Sequence, residues 1–285
     1  MALLRTTGRE LLVAVDQVVD GRHVRLDSTP LELVARKAIA RSMSDIAAMA
    51  GTPIATLVAV TLPVGFGEAR ATQLFDAMHK AARDLDAPLV GGDIAIHSNP
   101  AAPLVCSVTV LAEPATARGA VTRSGAQPGD TLYVTGELGG SLHPDGLGHH
   151  LSFTPRIREG IALAEQLGDR LHAMIDISDG LGRDASHIAE CSGVRLEIDA
   201  AALPCRAGAD WRQALSDGED YELCFAASGA VPATIAGTRV TAIGRVLPGF
   251  GLSGGEGGSG GGAVTVMADG QRFGADDMGW EHAGA

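Results

Sequence analysis

The 285-residue chain is poor in aromatic residues, lysine and cysteine, and it has no long apolar run. Each shortage excludes something. Aromatic side chains make up only 4% of it, so its core must be built from layers of Ala, Val, Leu and Ile. The four cysteines, Cys106, Cys191, Cys205 and Cys224, form no C-x-x-C pair and have no histidine at finger-like spacing. Neither a disulfide framework nor a zinc site is indicated, and buried thiols are expected. No apolar stretch approaches the ~20 residues that span a bilayer, and the first ten residues lack a signal peptide's apolar core, so a cytoplasmic protein is expected. Lysine occurs only at Lys37 and Lys80, neither after a glycine-rich turn, which excludes a Walker A loop. The 22 basic and 34 acidic residues give a formal charge of −12, which opposes binding to nucleic acid or to an anionic membrane surface.

What is present points to a globular α/β chain. Hydrophobic residues reach 46% against 20% charged, which excludes intrinsic disorder, and the length allows two domains of roughly 150 residues each. Residues 11–15 read as a buried strand ending at Asp16. Ser28 or Thr29 can cap a helix that has Pro30 at its first position, carries Asp45, and stops at Gly51. A strand over 54–62, an amphipathic helix over 67–87, a strand running into Gly91-Gly92-Asp93 and a strand over 104–111 follow. The polar, Gly- and Pro-containing stretch 113–130 reads as a linker, which divides the chain into domains 1–117 and 118–285. Beyond it come a strand over 131–135, a helix over 155–167, and an apolar run into Asp176-Ile177-Ser178-Asp179-Gly180 that opens a helix ending at Gly193. Strands at 194–199, 221–227 and 239–247 complete the pattern.

Several signatures can be set aside. Nine of the fourteen residues from Gly249 to Gly262 are glycine, so this segment reads as a mobile surface loop. It contains a formal G-x-G-x-x-G and a G-x-S-x-G around Ser259, but no helix or strained turn frames either. His143, His149 and His150 read as solvated. The chemistry lies with aspartates at strand ends or glycine turns, Asp16, Asp93, Asp176 and Asp179, and with Asp45, whose helix could face them. Singly, each is a turn or cap residue. Together they form a hard oxygen-donor set of the kind that binds Mg²⁺ and leaves positions for phosphate. Two carboxylates about 6 Å apart repel by roughly 3 kcal/mol at an effective dielectric of about 20, so such a convergence needs cations. Magnesium would then admit an anionic nucleotide.

These residues resemble the thiamine-monophosphate kinase family, of the superfamily that contains aminoimidazole ribonucleotide synthetase and selenophosphate synthetase. The resemblance is carried by Asp16-Gln-Val-Val-Asp-Gly-Arg-His23, Ser44-Asp-Ile-Ala-Ala-Met49, Gly91-Gly-Asp93, Arg123-Ser-Gly-Ala126 and Pro128-Gly-Asp130. It continues through Pro155-Arg156, Asp176-Ile-Ser-Asp-Gly180, Gly218-Glu-Asp-Tyr-Glu-Leu223 and Gly279-Trp-Glu-His282. It implies a two-domain architecture like that of aminoimidazole ribonucleotide synthetase, in which N-terminal α/β domains form a barrel across a homodimer and a C-terminal α/β domain follows. It further implies ATP- and Mg²⁺-dependent phosphorylation of thiamine monophosphate by direct in-line transfer. The metal positions would be Asp16, Asp45, Asp93, Asp176 and Asp179. Arg123 and Ser178, with Asp179, would be catalytic, and Gly92, Asp93, Arg123 and Ser178 would meet the nucleotide. Asp20, His23, Glu219, Asp220, Tyr221 and Trp280 would form the thiamine side. The family's G-D-D-A-A motif is missing from this sequence, Ile94-Ala95 replaces a Thr pair, Arg22 and Val24 replace an aliphatic and an aromatic residue, and Asp217 replaces a Gly. Two alternatives therefore stay open: a same-fold ATP-dependent enzyme with another acceptor, and a catalytically silent relative.

Overall fold

The computed structural model describes residues 2–5, 10–116, 118–249, 264–276 and 278–280. Its N-terminal half contributes β1 (Ala2–Arg5), β2 (Glu10–Val19), α1 (Leu31–Ala48), β3 (Gly51–Leu62), α2 (Glu68–Asp84), β4 (Leu89–Ile96) and β5 (Val105–Pro114). Among the described residues these strands form a five-stranded sheet of order β1-β2-β5-β3-β4. All its pairs are antiparallel except β3 and β4, which the α2 crossover makes parallel. Period-two alternation in β5 turns Cys106, Val108, Val110 and Ala112 inward beneath α1, and α2 packs beside α1.

The C-terminal half adds β6 (Thr131–Thr135), α3 (His149–Ser152), α4 (Ile157–Leu167), β7 (Leu171–Asp176), α5 (Leu181–Ser192), β8 (Val194–Asp199) and α6 (Trp211–Ser216). It ends with β9 (Leu223–Ala227), β10 (Thr234–Ile235), β11 (Thr238–Pro248), β12 (Val264–Ala268) and β13 (Gln271–Gly274). These build a second sheet of order β13-β12-β8-β11-β6-β9-β7, with β10 paired to β11. The glycine-rich segment of the sequence, after Gly249, lies outside the described residues. Among the described residues, no helix is long and apolar enough to cross a membrane.

Each half has its own aliphatic core, and a third cluster joins them. In it Ala47, Ala48 and Ala50, at the end of α1, pack against Val121, Leu163, Leu171 and Phe225. Thirteen of the 18 residues of α1 are consequently buried, because the sheet covers one side of the helix and α3, α4 and β7 cover the other. Its small residues permit that double packing. This helix is the element on which the site is assembled.

Some expected boundaries move. Asp16 and Asp93 lie inside their strands, because the ladders continue to Val19–Val105 and to Leu62–Ile96, while Asp176 does end β7. Pro30 takes the cap position of α1, with no side-chain capping bond. All four cysteines are free, but only Cys106 and Cys224 are buried; Cys205 is half-buried and Cys191 is exposed on the last turn of α5. Gly92 has a packing reason to be glycine: a Cβ there would lie 1.9 Å from the Val58 carbonyl oxygen. Gly92→Ala is therefore expected to push β4 off β3 and lower the stability of the ligand-free protein by about 1–3 kcal/mol, read as a lower urea midpoint. An unchanged midpoint would refute the packing role.

Candidate active site

Lys37, Arg41 and Asp45 follow one another at intervals of four along α1, which places them in one stripe of an otherwise apolar and small-residue helix. Lys37 is fully buried. Its ammonium donates to the His23 carbonyl at 2.8 Å, to the Glu219 carboxylate, and to His150, whose Nδ1 stands 2.7 Å away. His150 Nε2 lies 3.2 Å from the Gly146 carbonyl, which suits a tautomer with Nδ1 accepting and Nε2–H donating. Burial pulls the Lys37 pKa down to about 8 against the attraction of Glu219. Burial would raise the Glu219 carboxyl, but Lys37 and Arg41 outweigh it and hold it below the usual carboxylate range. Arg41 Nη2 stands 3.6 Å from Asp16 and Nη1 3.9 Å from Glu219.

Glu219 reaches α1 from the other half of the molecule because two turns are locked together. The Glu219 and Tyr221 N–H groups donate to the Ser178 and Ile177 carbonyls at 2.7 and 2.8 Å, and Ile177 N–H returns a bond to Glu222 at 2.8 Å. Trp280 N–H adds a bond to the Asp179 carbonyl at 2.7 Å. Glu219 and Tyr221 both adopt positive φ, 53° and 52°, a strained conformation for non-glycine residues that the surrounding bonds enforce. At Gly218 a Cβ would come within 2.9 Å of the Ser178 carbonyl oxygen, so the crossing needs glycine. Beneath the first turn, Asp184 Oδ2 accepts the Ser178, Asp179 and Gly180 N–H groups at 2.9, 3.0 and 3.1 Å.

Two cavities meet at these turns. One, of about 430 Å³, is lined by Asp45, Arg123, Asp176, Ser178 and Asp179 among others. The second, of about 150 Å³, is lined by His23, Arg41, Glu219 and Trp280, and again by Ser178 and Asp179. Ser178 and Asp179 thus form a shared wall. Around it the carboxyls of Asp45, Asp176 and Asp16 are all raised. Burial is the first cause in each case; Asp45 also feels the charges of Asp176 and Asp16, and Asp16 that of Asp179. Ser44 Oγ donates to Asp176 at 2.7 Å and partly offsets the effect there. Among the described residues no group of three or more His, Cys, Asp or Glu side chains forms a ready cage for an ion. Magnesium does not need one, since it takes one or two carboxylates and completes its shell with water and phosphate. An all-oxygen set whose members raise one another's pKa fits that ion.

Not every residue expected at the site is there. Asp93 and Gly92 sit on the exposed edge strand β4, three strands across the sheet from Asp16, beside a separate groove lined by Phe75 and His79. Asp20 closes its own loop by accepting the Leu26 N–H. Asp220 is fully buried, and its carboxylate is taken up by Gly139 N–H, Ser141 Oγ and Arg206. The Tyr221 ring stacks on Phe153 with centroids 3.9 Å apart, away from the cavity wall. None of these three residues lines the cavity. His23 does face it; burial and then Arg41 lower its pKa to about 4, and Nδ1 accepts the Val19 N–H. Trp280 is 54% exposed, with the Arg22 guanidinium 5.4 Å above its ring. Against expectation, His150 is buried and His149 half-buried, while His143 is exposed. Lys37, Arg41, His150 and Asp184 were not anticipated; the four-residue spacing of Lys37, Arg41 and Asp45 is the signal that could have revealed the first two.

Residues 1–113 match the family model of AIR synthase related protein, N-terminal domain, and residues 127–269 match that of its C-terminal domain. The two sheets and the acidic crevice between them therefore define an AIR synthase-related protein. A thiamine-monophosphate kinase from Mycobacterium tuberculosis is 38% identical over 99% of this chain and 84% of its own length, and one from Rhodopirellula baltica is 32% identical over 85% and 77%. The chain belongs to the thiamine-monophosphate kinase family of phosphotransferases. The solved structure of AaThiL complexed with AMPPCP and TMP superposes with a TM-score of 0.76 at 29% identity, covering 99% of this chain and 90% of that one. Hydrogenase maturation protein HypE in complex with ATP shares the fold, with a TM-score of 0.76 at 19% identity over 99% and 89% of the two chains.

The crowding of carboxyls has a thermodynamic sign. A buried acid whose folded pKa is raised above 3.8 binds its proton more tightly in the native state, so stability falls as pH climbs out of the ordinary carboxylate range toward neutrality. Without divalent metal, the melting temperature is expected to drop along that climb, and Asp45→Asn should flatten the slope. Scanning calorimetry at a series of pH values checks this; parallel slopes for the two proteins would contradict the crowding.

Proposed function

We propose that this chain transfers the γ-phosphoryl group of ATP to thiamine monophosphate, giving ADP and thiamine diphosphate, by in-line displacement with Mg²⁺ and no phosphoenzyme. The observation that carries the reading is the pair of cavities sharing Ser178 and Asp179, one walled by acids with an arginine at its mouth, the other by an exposed indole and a carboxylate. The larger receives the nucleotide, with Arg123 and Ser178 on its phosphates. The smaller receives the acceptor, whose cationic ring stacks on Trp280 and is complemented by Glu219 and Asp217. An acceptor phosphate oxygen is already anionic, so its attack on the γ-phosphorus, with departure of the β-phosphate oxygen, needs no general base. Held by Asp16, Asp45, Asp176 and Asp179, the metal would neutralise the transferring group and align the two oxygens. The AaThiL complex with AMPPCP and TMP supports the pairing of a nucleotide with a thiamine phosphate.

Asp20, Asp220 and Tyr221 act in this reading as positioning residues. The protein works as a cytoplasmic homodimer, in keeping with its four free thiols and with the exposed apolar side chains of the N-terminal sheet, Val15 and Leu57 on its outer face and Val90, Ile94 and Ile96 on its edge strand. Asp93 lies three strands from Asp16, so within one chain they cannot share an ion. A partner packed on this face supplies Asp93 to its neighbour's site.

Incubation with ATP, Mg²⁺ and thiamine monophosphate should yield the diphosphate by chromatography, and a chelator should stop it; no product would overturn the reading. Asp45→Asn is expected to cut turnover by roughly a hundredfold or more while leaving the circular dichroism spectrum unchanged. Mixing inactive Asp45→Asn and Asp93→Asn proteins should restore part of the activity, and failure to recover any would place Asp93 outside the partner's site.

A further inference from the structure

The acceptor cavity raises a question of charge. Asp179, Asp217 and Glu219 line it, yet on the reading above it must hold a phosphate monoester. Among the described cations around it, two are already engaged: the Lys37 ammonium is spent on His23, His150 and Glu219, and the Arg22 guanidinium lies over the Trp280 ring. Arg41 differs. Its contacts with Asp16 and Glu219, at 3.6 and 3.9 Å, are too long for hydrogen bonds, and its buried Nε and Nη1 donate to no acceptor. The Tyr221 hydroxyl, which interacts electrostatically with Arg41, is likewise buried without a partner. Unfilled donors on a buried permanent cation are costly, and an anion's oxygens would fill them. The residue stands on the rigid, doubly packed α1, at the wall of the acceptor cavity and of an adjoining groove along β2 that includes Asp16.

We propose that Arg41 determines acceptor specificity: its guanidinium fork binds the phosphate monoester of the acceptor, so that the cavity selects a phosphorylated substrate over the corresponding free alcohol. The inference rests on the kinase reading, since it assumes that the smaller cavity is the acceptor site. Lys37, four residues earlier, fixes Glu219 and keeps it from closing on Arg41 through good hydrogen bonds. Nε and Nη1 are covered, so the guanidinium must turn toward the cavity to meet a ligand that brings two oxygens at once. Placed there, the acceptor phosphate lies on the side of the cavity that carries Asp179, the wall shared with the nucleotide cavity.

The test is calorimetric and needs no turnover. The intact protein, without ATP, is titrated with thiamine monophosphate and with thiamine. The expected result is at least about tenfold tighter binding of the phosphate ester, the worth of a charge-assisted hydrogen-bonded pair. Arg41→Met should abolish that preference while leaving thiamine affinity within about twofold, and Arg41→Lys should restore only part of it because a single ammonium cannot replace the fork. Melting curves of both variants report folding, and if Arg41→Met does not fold, the partial loss in Arg41→Lys decides. Full preference retained in a folded Arg41→Met, or in Arg41→Lys where only that variant folds, overturns the inference. Diphosphate production by the wild type is measured separately. Preference without production defeats the kinase reading alone, and production without preference defeats the role of Arg41 alone.

Discussion

Glu219 carries a counter-charge without which α1 could not be buried as it is. The helix is packed on both sides yet carries Lys37 and Arg41 into the interior, and an ammonium left there unpaired would be destabilising by roughly 3–5 kcal/mol. The carboxylate that answers it comes from the other half of the molecule, on a turn held in a strained conformation by main-chain bonds to the 177–180 turn. The same contact that neutralises Lys37 therefore fixes Ser178 and Asp179 relative to Asp45. Both cavities, and the wall they share, lie along that junction.

The pattern of apolar runs made the two α/β halves legible, together with the helix bearing Asp45 and the turn 176–180. Strand ends were less legible, because Asp16 and Asp93 are carried on by ladder partners far away in sequence, Val108 and Ala59. Motif residues also divided by role in a way that spacing cannot show. Within the run 218–223, Glu219 faces the cavity, Asp220 anchors the 139–141 loop, and Glu222 receives the Arg156 fork and the Thr135 hydroxyl. In each case the direction of the side chain is set by the αL residues of the turn. His150 was hidden for a different reason: it sits on a four-residue helix, and its partner Lys37 lies on a distant element.

The chain as a whole is strongly acidic, but its crevice is not uniformly so. Acids gather beside the larger cavity, where burial and mutual repulsion raise them, whereas Glu219 is held ionised between cations beside the smaller. Neighbouring carboxylates thus sit in opposite electrostatic states a turn or two apart, a separation of pKa values that commonly accompanies division of labour in an active site. The clamp of Asp184 on three successive N–H groups keeps the boundary between the two regions rigid.

The double burial of α1 also bears on how the polypeptide is made. One flank of the helix can be covered once β5 has left the ribosome, but the other waits for α4, β7 and β9, the last of which begins at Leu223. For the time taken to synthesise more than a hundred further residues, the nascent chain carries an apolar helical surface on which Lys37 still lacks its carboxylate. Such an interval invites chaperone capture, and it makes the amino-terminal half an incomplete folding unit rather than an exchangeable module.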